Sequence, residues 1–220
     1  MFEQCVKRSV RVFETPAYPS STLMKARDSE GPKVDETMYR SILGKIQYFQ
    51  TKIGPVLCNA TRELASHIQY PTDQHWRAME RLVGYLKYRD PFVFRLMAPN
   101  DLRGIHFCDS NYAQCVDTRR SVTGGIDTIG GAIVDWESKK QPIVSLSSTE
   151  AELISYTASL QAARFIQQLT NELSNAMHTA VMFEDNAGCI FMIRNQKTGG
   201  RTKHIEVRYF FGRDCFNKGY

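Results

Sequence analysis

Three acidic residues stand where their carboxylates could meet and bind a metal ion. Asp109 follows the apolar run 105–108, and Asp185 lies just beyond the apolar run 181–183. If these runs are neighbouring parallel strands, their carboxyl ends lie at the same edge of a sheet, where α/β proteins commonly build sites. Glu152 lies in the first turn of the longest predicted helix, so its side chain can face that edge. The spacing therefore allows the three carboxylates to converge if these strands are adjacent and parallel.

A cluster of three carboxylates repels itself, so keeping it ionised at neutral pH requires a compensating cation. Oxygen ligands of this kind favour Mg²⁺ or Mn²⁺ over zinc. Two such ions ~4 Å apart can activate a water molecule and stabilise the leaving oxygen of a phosphodiester. Each residue also has a common structural reading, because Asp often forms turns and a first-turn Glu favours the helix dipole. Glu150 in particular is expected to cap its helix rather than join the cluster.

The hydrophobic pattern predicts the elements that must position these residues. Strands are predicted over residues 92–97, 104–108, 122–128, 131–136, 142–146 and 180–183. Residues 129–130 would form the tight turn of a hairpin. Helices are predicted over residues 147–173, about 186–194 and 203–216, and Ser147 with Glu150 fits a capping box at the start of the first. This order predicts an α/β fold with a mixed sheet and helices packed against it.

The first ninety residues have a different character. Residues 1–35 contain Pro16, Pro19 and Pro32, and they are predicted to be an extended tether. Residues 36–90 carry apolar side chains at helical spacing, so we expect a small helical subdomain there. Those side chains are Tyr39, Ile42, Leu43 and Ile46 in one helix and Trp76, Met79, Leu82, Val83 and Leu86 in another. The α/β domain is expected to occupy residues 91–220.

The composition is that of a globular protein with a mild excess of positive charge. The formal net charge of +5 suits a polyanionic partner, and it fits an ordinary basic protein equally well. The six cysteines occur singly, without the paired spacing of a zinc ribbon. No signal peptide is recognisable, so we expect reduced thiols in an intracellular protein. No apolar run approaches the ~20 residues of a membrane span, and no membrane partner is expected.

Several local sequences, in their order along the chain, resemble a single family. They are residues 107–113 (FCDSNYA), 119–125 (RRSVTGG), 136–142 (WESKKQP), 146–153 (LSSTEAEL), 184–186 (EDN) and 201–209 (RTKHIEVRY). Together they resemble the ribonuclease H domain in the Pol polyproteins of copia-type LTR retrotransposons. Residues 39–44 and 75–81 resemble the helical region that follows the polymerase palm in those polyproteins, a thumb- or connection-like subdomain.

The resemblance implies a ribonuclease H-like fold and hydrolysis of the RNA strand of RNA·DNA hybrids during reverse transcription. Asp109, Glu152 and Asp185 each lie in the matching motif, so they are implied to be catalytic residues and ligands of two Mg²⁺ or Mn²⁺ ions. The implied partners are the hybrid and the remainder of Pol, including the reverse transcriptase palm. The implied location is a cytoplasmic virus-like particle or the nucleus.

The sequence departs from the family in two respects. It has no palm with paired catalytic aspartates, so no polymerase activity is expected. The family also places a fourth carboxylate in a last strand and helix, beyond Tyr220, so we expect a C-terminally truncated domain. Glu206 and Asp214 are poor substitutes for that carboxylate, because the family uses their helix differently.

Two readings of function remain open at this point. The first is an active hybrid nuclease. The alternative is a catalytically inactive Pol remnant that binds hybrid or serves as a structural module. An integrase with the same type of fold fits less well, because the zinc-binding His/Cys pairs of that enzyme are absent from the sequence.

Basic residues near these motifs are candidate contacts for the phosphates of a hybrid. They are Arg119, Arg120, Lys139, Lys140, Arg201 and Lys203. The alternative interpretation is a solvated basic surface. His204 is a candidate auxiliary group that assists product release, and its alternative role is to start a helix.

Overall fold

The computed structural model describes residues 10–18, 22–25, 34–89, 93–94, 96, 102–195 and 206–218, and for residues 206–210 it describes the backbone alone. The chain divides into two units, Met1–Phe94 and Arg95–Tyr220. Among the described helices, none has the length and apolar character that crossing a membrane requires. The described cysteines, at positions 58, 108, 115, 189 and 215, are not joined in disulfide bonds.

The described part of the first unit is built from helices. They are α1 (Glu36–Ile53), α2 (Cys58–Ala65) and α3 (Asp73–Tyr88), with a 3-10 turn at Pro55–Leu57. The Asp35 carboxylate accepts a hydrogen bond from Met38 N at 3.0 Å and so caps the start of α1. The apolar faces of the helices form one core, as their spacing predicts. Its least exposed side chains are Tyr39, Ile42, Leu43, Ile46, Leu57, Leu64, Met79 and Leu82.

The described parts of the predicted tether have no helix or strand, and they pack against these helices. Phe13 N donates to the Gly84 carbonyl oxygen at 3.4 Å, and Leu23 N donates to the Glu63 carboxylate at 2.6 Å. The Arg81 guanidinium lies 4.6 Å from the centre of the Phe13 ring. Through these contacts, the described residues of the segment contribute to the packing of the helical unit.

The described part of the second unit contains a sheet and helices. The strands are β1 (Gly104–Asn111), β2 (Val122–Ile129), β3 (Ala132–Lys140) and β4 (Val181–Phe183). The helices are α4 (Ser148–Ser174), α5 (Ala187–Arg194) and α6 (Glu206–Asn217). Each of the three helices lies close to its predicted position.

The strands form a mixed sheet in the order β3-β2-β1-β4. β2 pairs antiparallel with both β1 and β3, whereas β4 pairs parallel with β1. Helix α4 packs across β1 and β2, and α5 and α6 pack beside α4. The core between them includes Leu153, Tyr156 and Leu160 of α4. The predicted fold class is confirmed: this is an α/β unit consistent with a ribonuclease H-like fold.

The strand predicted over residues 142–146 is wrong, because this segment is a loop. The Gln141 amide nitrogen donates to the Ala151 carbonyl oxygen at 2.9 Å and to the Thr123 hydroxyl at 3.2 Å. The Ser145 hydroxyl donates to the Gln141 amide oxygen at 3.0 Å. These bonds hold the segment beside the start of α4, where no strand is available for pairing.

The hairpin between β2 and β3 is confirmed, but its turn falls one residue later than predicted. Gly130 and Gly131 occupy it with φ values of 55° and 85°, which glycine adopts without steric cost. The strand predicted over residues 92–97 lies partly outside the described residues. The described positions 93, 94 and 96 are not in a strand.

The packing of the N-terminal segment on α3 gives a prediction about two helical glycines. A Cβ at Gly84 would collide with the Arg11 carbonyl oxygen and approach Phe13 Cδ2 to 2.7 Å, whereas a Cβ at Gly44 would meet nothing within 4 Å. Gly84→Ala should therefore lower the free energy of unfolding by about 1–3 kcal/mol. Gly44→Ala, the matched control, should raise it by about 0.5–1 kcal/mol through helix propensity. Urea unfolding followed by circular dichroism measures both changes, and equal stabilisation by the two variants would contradict the packing.

Candidate metal centre

The parallel pairing of β1 with β4 places the carboxylates of Asp109 and Asp185 at equal distances beyond the paired residues of the two strands. Phe107 pairs with Phe183 in the register of these strands. Asp109 lies two residues after Phe107, and Asp185 lies two residues after Phe183. The paired rings stack with their centroids 5.2 Å apart, which supports this register. The two aspartates therefore emerge side by side at the carboxyl end of the strand pair.

Helix α4 brings the third carboxylate to the same place. The Ser155 hydroxyl on α4 donates to the Asp109 carbonyl oxygen at 2.6 Å, which fixes the helix against β1 at the level of the site. Glu152 lies three residues before Ser155, so it occupies the same helix face one turn nearer the N-terminus. Helix packing, not sequence proximity, thus delivers Glu152 to the two aspartates.

The predicted convergence of Asp109, Glu152 and Asp185 is present in the structure. One carboxylate oxygen from each residue lies within 4.8 Å of the others. Asp109 and Asp185 are exposed, whereas Glu152 is only 7% exposed. The site is therefore open to solvent at the edge of the sheet, with the buried Glu152 carboxylate at its base. An ion from solvent can reach it.

Glu150 takes the capping role that the sequence predicts for it. Its carboxylate accepts from Leu146 N at 2.7 Å, and the Ser147 hydroxyl accepts from Glu150 N at 3.1 Å. The Glu150 carboxylate thus reaches the amide before Ser147. These bonds cap the N-terminus of α4, which begins at Ser148. They also direct the Glu150 carboxylate away from the cluster that contains Glu152.

The electrostatics of the cluster are unfavourable without a cation. The pKa of Glu152 is raised to about 7, mainly by burial and in smaller part by the charges of Glu184, Asp109 and Asp185, while the Ser110 hydroxyl opposes part of the rise. One Glu152 carboxylate oxygen is buried without a hydrogen-bond partner among the described residues. A buried acceptor beside two exposed carboxylates fits a hard divalent cation such as Mg²⁺ or Mn²⁺.

A fourth acidic residue, Glu184, supports the site and was not identified from the sequence. Its carboxylate accepts from Asn186 N at 3.0 Å and from the Cys108 thiol at 3.3 Å. Burial, Asp185 and Asp109 raise the pKa of Glu184. These bonds hold Glu184 inward and leave Asp185 to face the cluster. The sequence signal was the Glu-Asp-Asn run, in which Asn186 caps α5 by accepting from Cys189 N at 2.9 Å.

The predicted basic contacts fall into two groups. Arg119, Arg120 and Lys139 are exposed, and the Lys140 ammonium donates to the Cys115 sulfur at 3.1 Å. The remaining predicted positions lie outside the described residues, and they are Arg201, Lys203 and His204. Of the predicted contacts that the structure describes, Arg119, Arg120 and Lys139 are therefore accessible to an anion from solvent.

Asp214, one of the two poor substitutes for a fourth carboxylate, does not join the described site. Asp214 is exposed and pairs with the Lys218 ammonium at 2.8 Å. The Glu206 side chain lies outside what the structure describes. Among the described residues, the group whose geometry could hold a metal ion consists of Asp109, Glu152 and Asp185.

The chain is similar in sequence to several known proteins, although no family model matches it. It is 33% identical over 205 residues to the retrovirus-related Pol polyprotein from transposon RE2 of Arabidopsis thaliana, a stretch that covers 92% of this chain and 14% of that polyprotein. It is 30% identical over 178 residues to the Pol polyprotein from transposon TNT 1-94 of Nicotiana tabacum, which covers 80% of this chain and 13% of that one. The chain therefore spans about a seventh of these polyproteins.

A much shorter protein is also similar. Secreted RxLR effector protein 161 of Plasmopara viticola is 31% identical over 125 residues, which covers 57% of this chain and 88% of that protein. The similarity to this protein thus involves little more than half of the chain.

The buried charge of Glu152 gives a prediction about stability. Because the folded-state pKa of Glu152 lies above its ordinary value, the ionised carboxylate destabilises the metal-free fold at pH 8. Glu152→Gln should raise stability in EDTA at pH 8 by on the order of 1 kcal/mol, a melting-temperature rise of roughly 2–4 °C. The gain should shrink at pH 5, where the folded wild type carries the proton.

Two comparisons test this expectation by thermal unfolding. Glu150→Ala removes the cap of α4 and should lower stability by about 1 kcal/mol, the opposite sign. Added Mn²⁺ should raise the melting temperature of the wild type and leave that of Glu152→Gln nearly unchanged. A Glu152→Gln variant less stable than wild type in EDTA would show that the carboxylate serves the fold, not a cation.

Proposed function

We propose that this chain is the ribonuclease H-type nuclease of a transposon Pol polyprotein. It belongs to a group of homologous sequences that includes segments of the retrovirus-related Pol polyproteins of transposons. Its reaction would be metal-dependent hydrolysis of the RNA strand of an RNA·DNA hybrid. The observation that carries the proposal is the convergence of Asp109, Glu152 and Asp185 at the end of the parallel strand pair. The motif resemblance in the sequence supports the choice of substrate.

In this proposal the three carboxylates hold two Mg²⁺ or Mn²⁺ ions. When bound, such ions activate a water molecule and stabilise the leaving oxygen of a phosphodiester. The chain supplies the positions of the ligands. Ser155 fixes the Asp109 backbone, and Glu184 fixes the segment that carries Asp185. Glu152, buried at the base of the cluster, orients its carboxylate toward the two exposed aspartates.

The substrate would lie across the exposed edge of the site. Arg119, Arg120 and Lys139 are exposed and can contact phosphates of the hybrid backbone. Hybrid duplexes are recognised mainly through backbone shape and 2′-hydroxyls, so no base-specific contact is required. The net charge of +5 favours the encounter with such a polyanion. The proposed partner in the cell is the remainder of a Pol polyprotein, including its reverse transcriptase palm.

The proposal predicts metal-dependent cleavage that depends on the cluster. The chain should cleave a labelled RNA·DNA hybrid in Mg²⁺ or Mn²⁺, and Asp109→Asn or Asp185→Asn should reduce the rate at least about a hundredfold, the upper end of the loss seen for outer-shell partners. Glu172→Gln removes an exposed carboxylate on the same helix as Glu152, so it should leave the rate unchanged. Gel analysis of the RNA fragments measures the rate.

A filter-binding measurement with the same hybrid separates the alternatives. Retained binding by Asp109→Asn with lost cleavage is the expected result. Binding without cleavage by the wild type would instead favour a catalytically inactive module that holds the hybrid. A wild type that neither binds nor cleaves would exclude both readings for this chain.

A further inference from the structure

A groove lies between α4 and the inner face of β3, on the side of α4 away from α5. It forms because α4 packs across β1 and β2 and does not extend over β3. Its volume is about 430 Å³, large enough for a side chain or a small ligand. One wall is the flank of α4 with Ala158, Gln161 and Ala162. Ser159, which also lines the groove, follows Glu152 by seven residues and so lies about 10 Å from it along the helix.

The opposite wall of the groove is acidic. Asp127 pairs with Asp135 across β2 and β3, and Gly125 pairs with Glu137. Because residues that face each other across paired strands project from the same side of the sheet, the three carboxylates share the face toward the groove. All three residues line it. Burial, Asp127 and Asp135 raise the pKa of Glu137, although Lys139 opposes them.

Nearby side chains offset only part of this negative charge. The His106 ring nitrogen Nδ1 lies 2.6 Å from the Asp127 carboxylate, within the buried sheet. Lys139 is exposed, and the Lys140 ammonium is directed to Cys115. One Asp135 carboxylate oxygen accepts a hydrogen bond from Trp136 N at 2.9 Å. Asp135 and Glu137 line the groove, and Lys139 is the main opposing charge there.

A buried polar group is directed into the same groove. Ser159 is only 2% exposed, and its hydroxyl has no hydrogen-bond partner among the described residues. It lies over Gly125, where an added Cβ would approach the Ser159 hydroxyl to 3.2 Å and Glu137 Cγ to 3.3 Å. The glycine thus leaves room at the floor of the groove between the hydroxyl and the carboxylate. An unpaired buried hydroxyl costs free energy that a ligand donor or acceptor would recover.

The spacing of the acidic residues selects the kind of cation. Among the described residues, the side chains that converge closely enough to hold a metal ion are those of the candidate metal centre. Asp127, Asp135 and Glu137 do not belong to that group. The groove acids therefore do not form a three-carboxylate ligand set for one small ion. A guanidinium is wider, planar and carries five donors, and its aliphatic stem suits a wall of alanines.

We propose that the groove binds the guanidinium group of an arginine side chain from a peptide. The carboxylates of Asp135 and Glu137 accept charge-assisted hydrogen bonds from it, and the Ser159 hydroxyl accepts a further N–H. The arginine stem lies along Ala158 and Ala162. This site is separate from the metal centre, and its occupancy does not depend on the nuclease activity.

The test measures binding of a blocked arginine to the whole chain. N-acetyl-arginine amide is titrated while backbone amide resonances are recorded, with N-acetyl-citrulline amide as the neutral analogue of the same shape. Arginine should shift the resonances of Gly125, Ala158 and Ser159 with saturation, and citrulline should bind at least tenfold more weakly. A blocked Gly-Arg-Gly peptide should bind at least as tightly as the single residue, which identifies a peptide as the natural source.

Variants separate the groove from general charge attraction. Asp135→Asn with Glu137→Gln should weaken binding at least about tenfold, and Ser159→Ala about two- to tenfold. Glu172→Gln removes one negative charge at the exposed far part of α4 and should leave binding unchanged. Circular dichroism verifies that each variant is folded. If the double variant does not fold, Ser159→Ala and the citrulline comparison still decide the result.

Three outcomes would overturn the proposal. Equal affinity for arginine and citrulline would remove the role of charge. Equal binding of spermidine would show that any amine suffices and that the guanidinium shape is not recognised. Mg²⁺ shifting the groove resonances at concentrations that saturate the metal centre would make the groove a second cation site.

Discussion

The parallel pairing of β1 with β4 is the constraint on which the functional architecture of the second unit depends. A register with Phe107 opposite Phe183 places Asp109 and Asp185 at equal distances beyond the pair. A slip of one residue would turn one carboxylate to the other side of the sheet. Helix α4 is tied to the same strand through the Ser155 hydroxyl, so Glu152 is positioned by the strand that carries Asp109.

Gathering these carboxylates opposes the stability of the fold. Glu152 and Glu184 are drawn from water beside two other acids, and burial raises the pKa of both. The chain limits the cost in two ways. It leaves Asp109 and Asp185 exposed, and it gives Glu184 an amide and a thiol as donors. One Glu152 carboxylate oxygen has no hydrogen-bond partner among the described residues, so the cost of its burial is not offset. A bound cation would offset that cost.

Local sequence was sufficient for the elements whose signals are local. Ser147 and Glu150 fixed the start of α4, and alternation located the strands of the hairpin. Residues 142–146 were misjudged because Ile143 and Val144 resemble a strand. A neighbouring strand and the bonds of the Gln141 side chain decide the conformation there, and neither appears in a local pattern.

The sequence by itself determined which residues are the candidates for the chemistry, because acids after apolar runs and near a helix cap are local features, and so are the family-like motifs that contain them. It could not determine which member of the Glu184–Asp185 pair faces the site, since that depends on the distant Cys108 thiol. Nor could it show the acidic groove, whose walls come from residues far apart in the chain. The three carboxylates could be named from the sequence. Their approach to within 4.8 Å was settled by long-range pairing and helix packing, which only the tertiary structure contains.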